Sequence, residues 1–247
     1  MTNPGLEPIG DARGSGQVQH EHGDVTGGWL RPAVFGAMDG LVSNFALISG
    51  VVGGTDGDHS SAVVIAGLAG LAAGAFSMAA GEYTSVASQT EYTEAEIETE
   101  RREIRERPGA EQAELAQMYV DRGIRADLAA QVAEQVHANP DLALEVHARE
   151  ELGVDPDNLP SPYVAAGSSF ISFAIGALLP VLPYLLGAST IMPALVVSLI
   201  ALFGCGALVS KVTSRSWWYS GLRQLLLGGL AAGLTYLIGE MVGTAVG

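Results

Sequence analysis

Five stretches of this chain, residues 30–53, 61–87, 162–186, 191–212 and 222–246, are each apolar over a length that can cross a bilayer. About 20 helical residues suffice for roughly 30 Å of hydrocarbon. The 32 glycines, too many for ordinary water-soluble helices, suit the same reading. Small residues let membrane helices approach closely. Pro180 and Pro183 predict that the third stretch kinks or ends early.

Between the second and third stretches the composition changes. Residues 88–160 hold 18 of the 27 acidic residues, with apolar positions recurring at helical spacing, as in Leu128, Val132 and Val136. Pro108-Gly109, Gly123, Asn139-Pro140 and Gly153 to Pro156 punctuate the segment. The pattern predicts that the second span continues as a helix to about Arg107 and that three short helices follow. The fold class is therefore all-α: a polytopic membrane protein with five transmembrane helices and a helical insert between the second and third. Four regions follow: a disordered tail over 1–28, spans one and two over 29–87, the acidic insert over 88–160, and spans three to five over 161–247. The tail lacks the basic-then-apolar pattern of a signal peptide.

Orientation follows from the 12 basic residues. Arg13 and Arg31 precede span one, seven arginines lie in the insert, and Lys211, Arg215 and Arg223 surround the loop between spans four and five. With five spans, all of them fall on one side, which the positive-inside bias makes cytoplasmic. The N-terminus and insert then face the cytoplasm, and the C-terminus faces outward. Short loops and an Ala/Gly-rich composition favour a prokaryotic plasma membrane. A net charge of −15 excludes nucleic acid as a partner. The lone cysteine, Cys205, excludes an internal disulfide or a cysteine-based zinc site.

Asp39 lies inside the first span, where a carboxylate costs about 2.5–3.5 kcal/mol and normally faces a cavity or a partner. In the second span Met78 and Glu82 stand four apart and share a helix face. Met78 alone reads as packing; beside a carboxylate it becomes a candidate soft ligand. The insert opens with Glu91, Glu94, Glu96, Glu98, Glu100, Glu103 and Glu106. Like-charge i,i+4 pairs there cost about 0.2–0.5 kcal/mol each. Two readings stay open: a divalent cation removes that repulsion, or the helix is a solvated face neutralised by arginines, with Glu98–Arg102 as an i,i+4 pair. Glu111 and Glu114 sit three apart, and Glu150 and Glu151 follow His147. Glu134-x-x-His137 matches one half of a ferritin-like di-iron motif, but one copy reads as surface. His20 and His22 in the tail read as inert. No nucleophile elbow, phosphate-binding loop with its lysine or Cys/His zinc set is present, so an enzyme is not expected, nor a prosthetic group.

The chain resembles the vacuolar iron transporter family. Asp39-Gly40-Leu41 with Asn44-Phe45-Ala46-Leu47, then Ala73-Gly74-Ala75-Phe76-Ser77-Met78, then the Glu-rich extension carry the resemblance. It implies export of iron(II), and often manganese(II), from the cytoplasm in exchange for protons, by a homodimer of five-helix protomers. It implies that Asp39 and Met78 line the translocation path; Asn44 and Glu82 are grouped with them here. The metal-binding insert is then expected to use Glu100 and Glu103, Glu111 and Glu114, and Glu151, with Glu96 and Glu150 close enough to be included. Gly70 and Pro32 stand where some members have acids. His147 and Ala148 stand where some have methionines, and His147 is a candidate replacement ligand. The alternative is a membrane-anchored iron-binding or iron-oxidising protein built on the insert.

Overall fold

The computed structural model describes residues 28–55, 60–213 and 215–246. His20 and His22 lie outside the described residues, as does the rest of the tail before Gly28. The described chain forms eight α-helices and one π-helical turn: α1 Leu30–Gly54, α2 Ser60–Glu106, α3 Pro108–Asp121, α4 Ala126–His137, α5 Pro140–His147, the π turn Ala148–Leu152, α6 Pro162–Leu185, α7 Ile191–Thr213 and α8 Trp217–Val246. Five of them, α1, α2, α6, α7 and α8, are long and apolar enough to span a bilayer. The protein is an all-α integral membrane protein.

α1 is the central helix and packs against α2, α6, α7 and α8. Leu41, Phe45 and Ile48 on its inner face meet Val63, Val181, Tyr184, Ala194, Leu202 and Ala232 in one buried cluster. Against α6 the approach is close: a Cβ on Gly40 would strike the carbonyl of Phe173, and one on Gly176 would strike that of Ala37. On the other side, Thr235 of α8 donates its hydroxyl hydrogen to the Ala46 carbonyl at 2.8 Å.

α2 has 47 residues, about 70 Å at 1.5 Å per residue, more than twice the hydrocarbon thickness. Its N-terminal half is the apolar span, and its C-terminal half carries the glutamates. Ile97 and Ile104 of that half are buried against Ala143, Leu144 and Ala148, fastening α5 and the π turn onto α2. α3 begins on Pro108 at its first position. α5 begins on the Asn139 side chain, which accepts from the backbone N–H of Asp141 at 3.0 Å and of Leu142 at 3.4 Å. The π turn stops at Gly153, whose φ of 68° is left-handed.

Three expectations need revision. α6 does not end early at its prolines but runs through Pro180 and Pro183 to Leu185; both prolines are buried, and membrane helices tolerate them where packed neighbours surround the freed carbonyls. The fifth helix starts at Trp217, five residues before the apolar stretch, because its exposed Trp217, Trp218 and Tyr219 are aromatics of the kind that favour the bilayer interface. Glu98 pairs with Arg101 at 2.5 Å and Arg105 at 3.4 Å rather than with Arg102, which instead reaches the Thr99 hydroxyl at 3.5 Å.

Candidate metal centre

On α2, Glu100 lies between the two buried anchors Ile97 and Ile104 and is drawn into the interface with them, only 8% exposed. α3 folds back so that Glu111, in its first turn and one turn before the buried Leu115, is also buried. His147, the last residue of α5, is fully enclosed. The π turn then presents Glu151 four residues later. His147 Nδ1 lies 2.7 Å from Glu151 Oε1 and 2.9 Å from Glu100 Oε1. One ligand atom from each of these residues falls within 4.8 Å of the others. A single Nδ1 hydrogen serves one carboxylate, here Glu151, and Glu100 Oε1 is left buried with no donor. A buried acceptor without a donor is costly unless a cation fills the place.

Burial pushes the Glu100 carboxyl up to about 7; Glu151 is the next cause, Glu111 and Glu103 add to it, and His147 opposes it. Glu111 is raised by burial first, then by Glu114 and Glu103. Glu103, Glu111 and Glu114 thus lie close enough to act on the site where ligand atoms of Glu100, His147 and Glu151 converge. The arginines are engaged elsewhere: Arg149 with Glu145 at 2.6 Å and Asp155 at 3.3 Å, Arg125 with Asp127 at 3.0 Å, and Arg122 with Glu150. Among the described residues no Arg or Lys pairs with the five clustered glutamates. Of the two adjacent acids, then, Glu151 faces the cluster and Glu150 faces Arg122. Glu96 is half-buried one turn before Glu100 and is not among the acids acting on it.

His137, read from the sequence as a surface residue, is instead half-buried beside the cluster. Its Nε2 lies 3.0 Å from His147 Nε2, with the rings edge to face at 5.1 Å. Burial, then His147, holds its imidazole below the ordinary range. The available signal was Glu134-x-x-His137, but the partner proved to be another helix's histidine.

In the membrane half, a cavity of about 350 Å³ lies between α1, α2 and α6. Asp39, Asn44, Ser77 and Met78 line it, together with Gly70 and Gly74. Asn44 Nδ2 donates to the carbonyls of Gly67 at 3.1 Å and Ala177 at 2.6 Å, stitching α1 to α2 and α6. Its Oδ1 is buried without a donor, beside Gly70, where a Cβ would come within 3.0 Å of it. A carboxylate, a free amide oxygen and a thioether thus share one wall. Glu82 does not line this cavity. It lines a separate one of about 310 Å³, with Arg31, Gln89, Thr90 and Pro160, toward the insert.

Comparison with known proteins adds a second line of observation. The model of the VIT family matches residues 30–240. The chain is similar to a vacuolar iron transporter of Acanthamoeba castellanii, 37% identical over 222 residues, 87% of this chain and 78% of the relative. It is similar to vacuolar iron transporter 1 of Arabidopsis thaliana, 31% identical over 86% of each chain, and to vacuolar iron transporter 1 of Oryza sativa subsp. japonica, 28% identical over 98% of each.

Proposed function

The chain belongs to the VIT family, and from that premise we propose that it transports divalent metal ions, carrying iron(II) or manganese(II) out of the cytoplasm in exchange for protons. The observation that carries this reading is the cluster of five glutamates and one histidine with no Arg or Lys paired to it. Such a cluster is electrostatically incomplete until a cation arrives. Carboxylates suit manganese(II), and an imidazole among them suits iron(II).

In this reading the insert is cytoplasmic, on the side of the basic residues, and the host is a prokaryotic plasma membrane. The cluster captures the ion. Glu82, one helical turn from Met78, serves as a station between the cluster and the membrane cavity. Asp39, Asn44 Oδ1 and Met78 then replace part of the ion's water shell. Protons entering from outside compete for the same carboxylates, which is how exchange is coupled. The relatives' names, vacuolar iron transporters of eukaryotes, support a metal cargo.

The test is metal flux in proteoliposomes, with iron(II) and manganese(II) compared with and without a pH gradient. Asp39→Ala is expected to abolish flux while the protein elutes as a folded species. Wild-type flux in that variant would remove Asp39 from the path, and flux indifferent to the gradient would remove proton exchange.

A further inference from the structure

His147 offers two ring nitrogens to two different neighbourhoods. Nδ1 faces Glu100 and Glu151 at 2.9 and 2.7 Å. Nε2 faces His137 Nε2 at 3.0 Å. Two imidazole nitrogens at that separation share one hydrogen: one donates and the other accepts. The ring of His147 is fully enclosed, so no bulk water reaches Nε2, and no other described residue is hydrogen-bonded to it. When a cation takes the place of the Nδ1 hydrogen that Glu151 accepts, the neutral imidazole coordinating through Nδ1 carries its hydrogen on Nε2. That hydrogen then needs an acceptor, and His137 is the group in place to supply it.

We propose that His137 is a positioning residue for metal binding: it accepts the Nε2–H of His147 and thereby aims the Nδ1 lone pair of His147 at the space between Glu100 and Glu151. This rests on the reading of the cluster as a divalent-cation site. His137 sits on α4 and touches none of the clustered carboxylates by hydrogen bond or ion pair among the described residues, so it acts through His147 alone. α4 in turn packs on α3, which carries Glu111 and Glu114. The histidine contact therefore also ties the helix that braces α3 to the ligand on α5.

The experiment uses the full chain in detergent and cobalt(II) as the probe, with affinity read by calorimetry. His137→Phe keeps an aromatic edge against His147 but removes the acceptor. His137→Gln loses the ring but places an amide oxygen near the position of Nε2. Removing such an outer partner weakens metal binding roughly 10–100-fold, so that loss is expected for His137→Phe, with most of it recovered in His137→Gln. Wild-type affinity in His137→Phe, or equal weakness in both variants, overturns the proposal. His147→Ala separates the two readings. If it binds cobalt(II) as the wild type does, the cluster is not the metal site and the premise itself falls. If it binds weakly while His137→Phe binds normally, the site stands and only the role of His137 is lost.

Discussion

A carboxylate buried among carboxylates makes the metal-free fold pH-dependent, and Glu100 sets the sign. Its carboxyl is raised from an ordinary 4.5 to about 7, so between those values the folded chain binds a proton that the unfolded chain has released. Stability then falls as pH rises through that window. A divalent ion reverses the trend, because it replaces the proton as the charge that Glu100 faces. Thermal unfolding of the metal-free protein is expected at lower temperature at pH 7.5 than at pH 5, and the gain from manganese(II) is expected to be larger at pH 7.5. His137, whose imidazole is held low, works in the opposite direction. The comparison is therefore made in a His137→Phe background, where a metal-free melting temperature that rises over this range would mean that Glu100 is not held protonated. At this scale Asp39 was legible because an acid in an apolar run stands out. Glu100 and Glu111 were legible only as members of a crowd. That Glu151 and not Glu150 faces the cluster depends on the π turn over Ala148–Leu152, which no spacing rule announces. The His137–His147 contact joins two helices, and single-helix periodicity does not report it.

Helices are where the sequence spoke most plainly, because hydropathy over 20 residues and Pro/Gly breaks are local signals. The packing between helices is another matter. α1 holds Asp39 and Asn44 at the cavity only because Gly40 lets it lie against the Phe173 carbonyl of α6, with Gly176 reciprocating against Ala37. A leucine at residue 40 has no free space and must push the helices apart. Overpacking of this kind costs about 1–3 kcal/mol, so Gly40→Leu is expected to lower the melting temperature in detergent and to reduce flux as the cavity wall moves. Gly204 on α7 is the contrast: a Cβ there meets nothing within 4 Å. Gly204→Ala is expected to be neutral or to stabilise by up to about 1 kcal/mol, the helix-propensity difference. Equal effects at the two sites would show that glycine content, and not close approach at residue 40, sets the packing. The continuity of α6 through Pro180 and Pro183 was missed for the same reason, since what makes those prolines tolerable is the surrounding bundle.

At the level of the whole molecule, the surface of α2 divides into two kinds. Ile65, Leu68 and Phe76 are exposed on one flank, as are Leu226, Leu230, Leu234 and Leu237 on α8. Large apolar side chains of this kind suit lipid. Adjoining Ile65 and Phe76 at i,i+3 and i,i+4, on the side toward Gly70 and Ser77 at the cavity, are the exposed Ala62, Ala73 and Ala80. Small residues suit a helix partner more than lipid, because they permit close backbone approach. The most apolar stretches of α2 and α8 are only 17% and 11% buried, against 44% for α1, so the kind of side chain exposed, and not the extent of exposure, separates the two helices. A second copy of the chain seated on the alanine flank would cover this face and close the cavity that holds Asp39 and Met78 between two protomers. A homodimer is an expectation of the family resemblance alone, because a symmetric partner leaves no mark on one chain's periodicity beyond small residues. In a Cys205→Ser background, Ala73→Cys is therefore expected to give an oxidant-dependent disulfide dimer in the membrane, since facing Cα atoms about 4.4–6.8 Å apart can be bridged. Leu230→Cys on α8 should not. A dimer through Leu230 with none through Ala73 would move the interface to α8 and leave the Asp39 cavity open to lipid, which a hydrated cation could not cross.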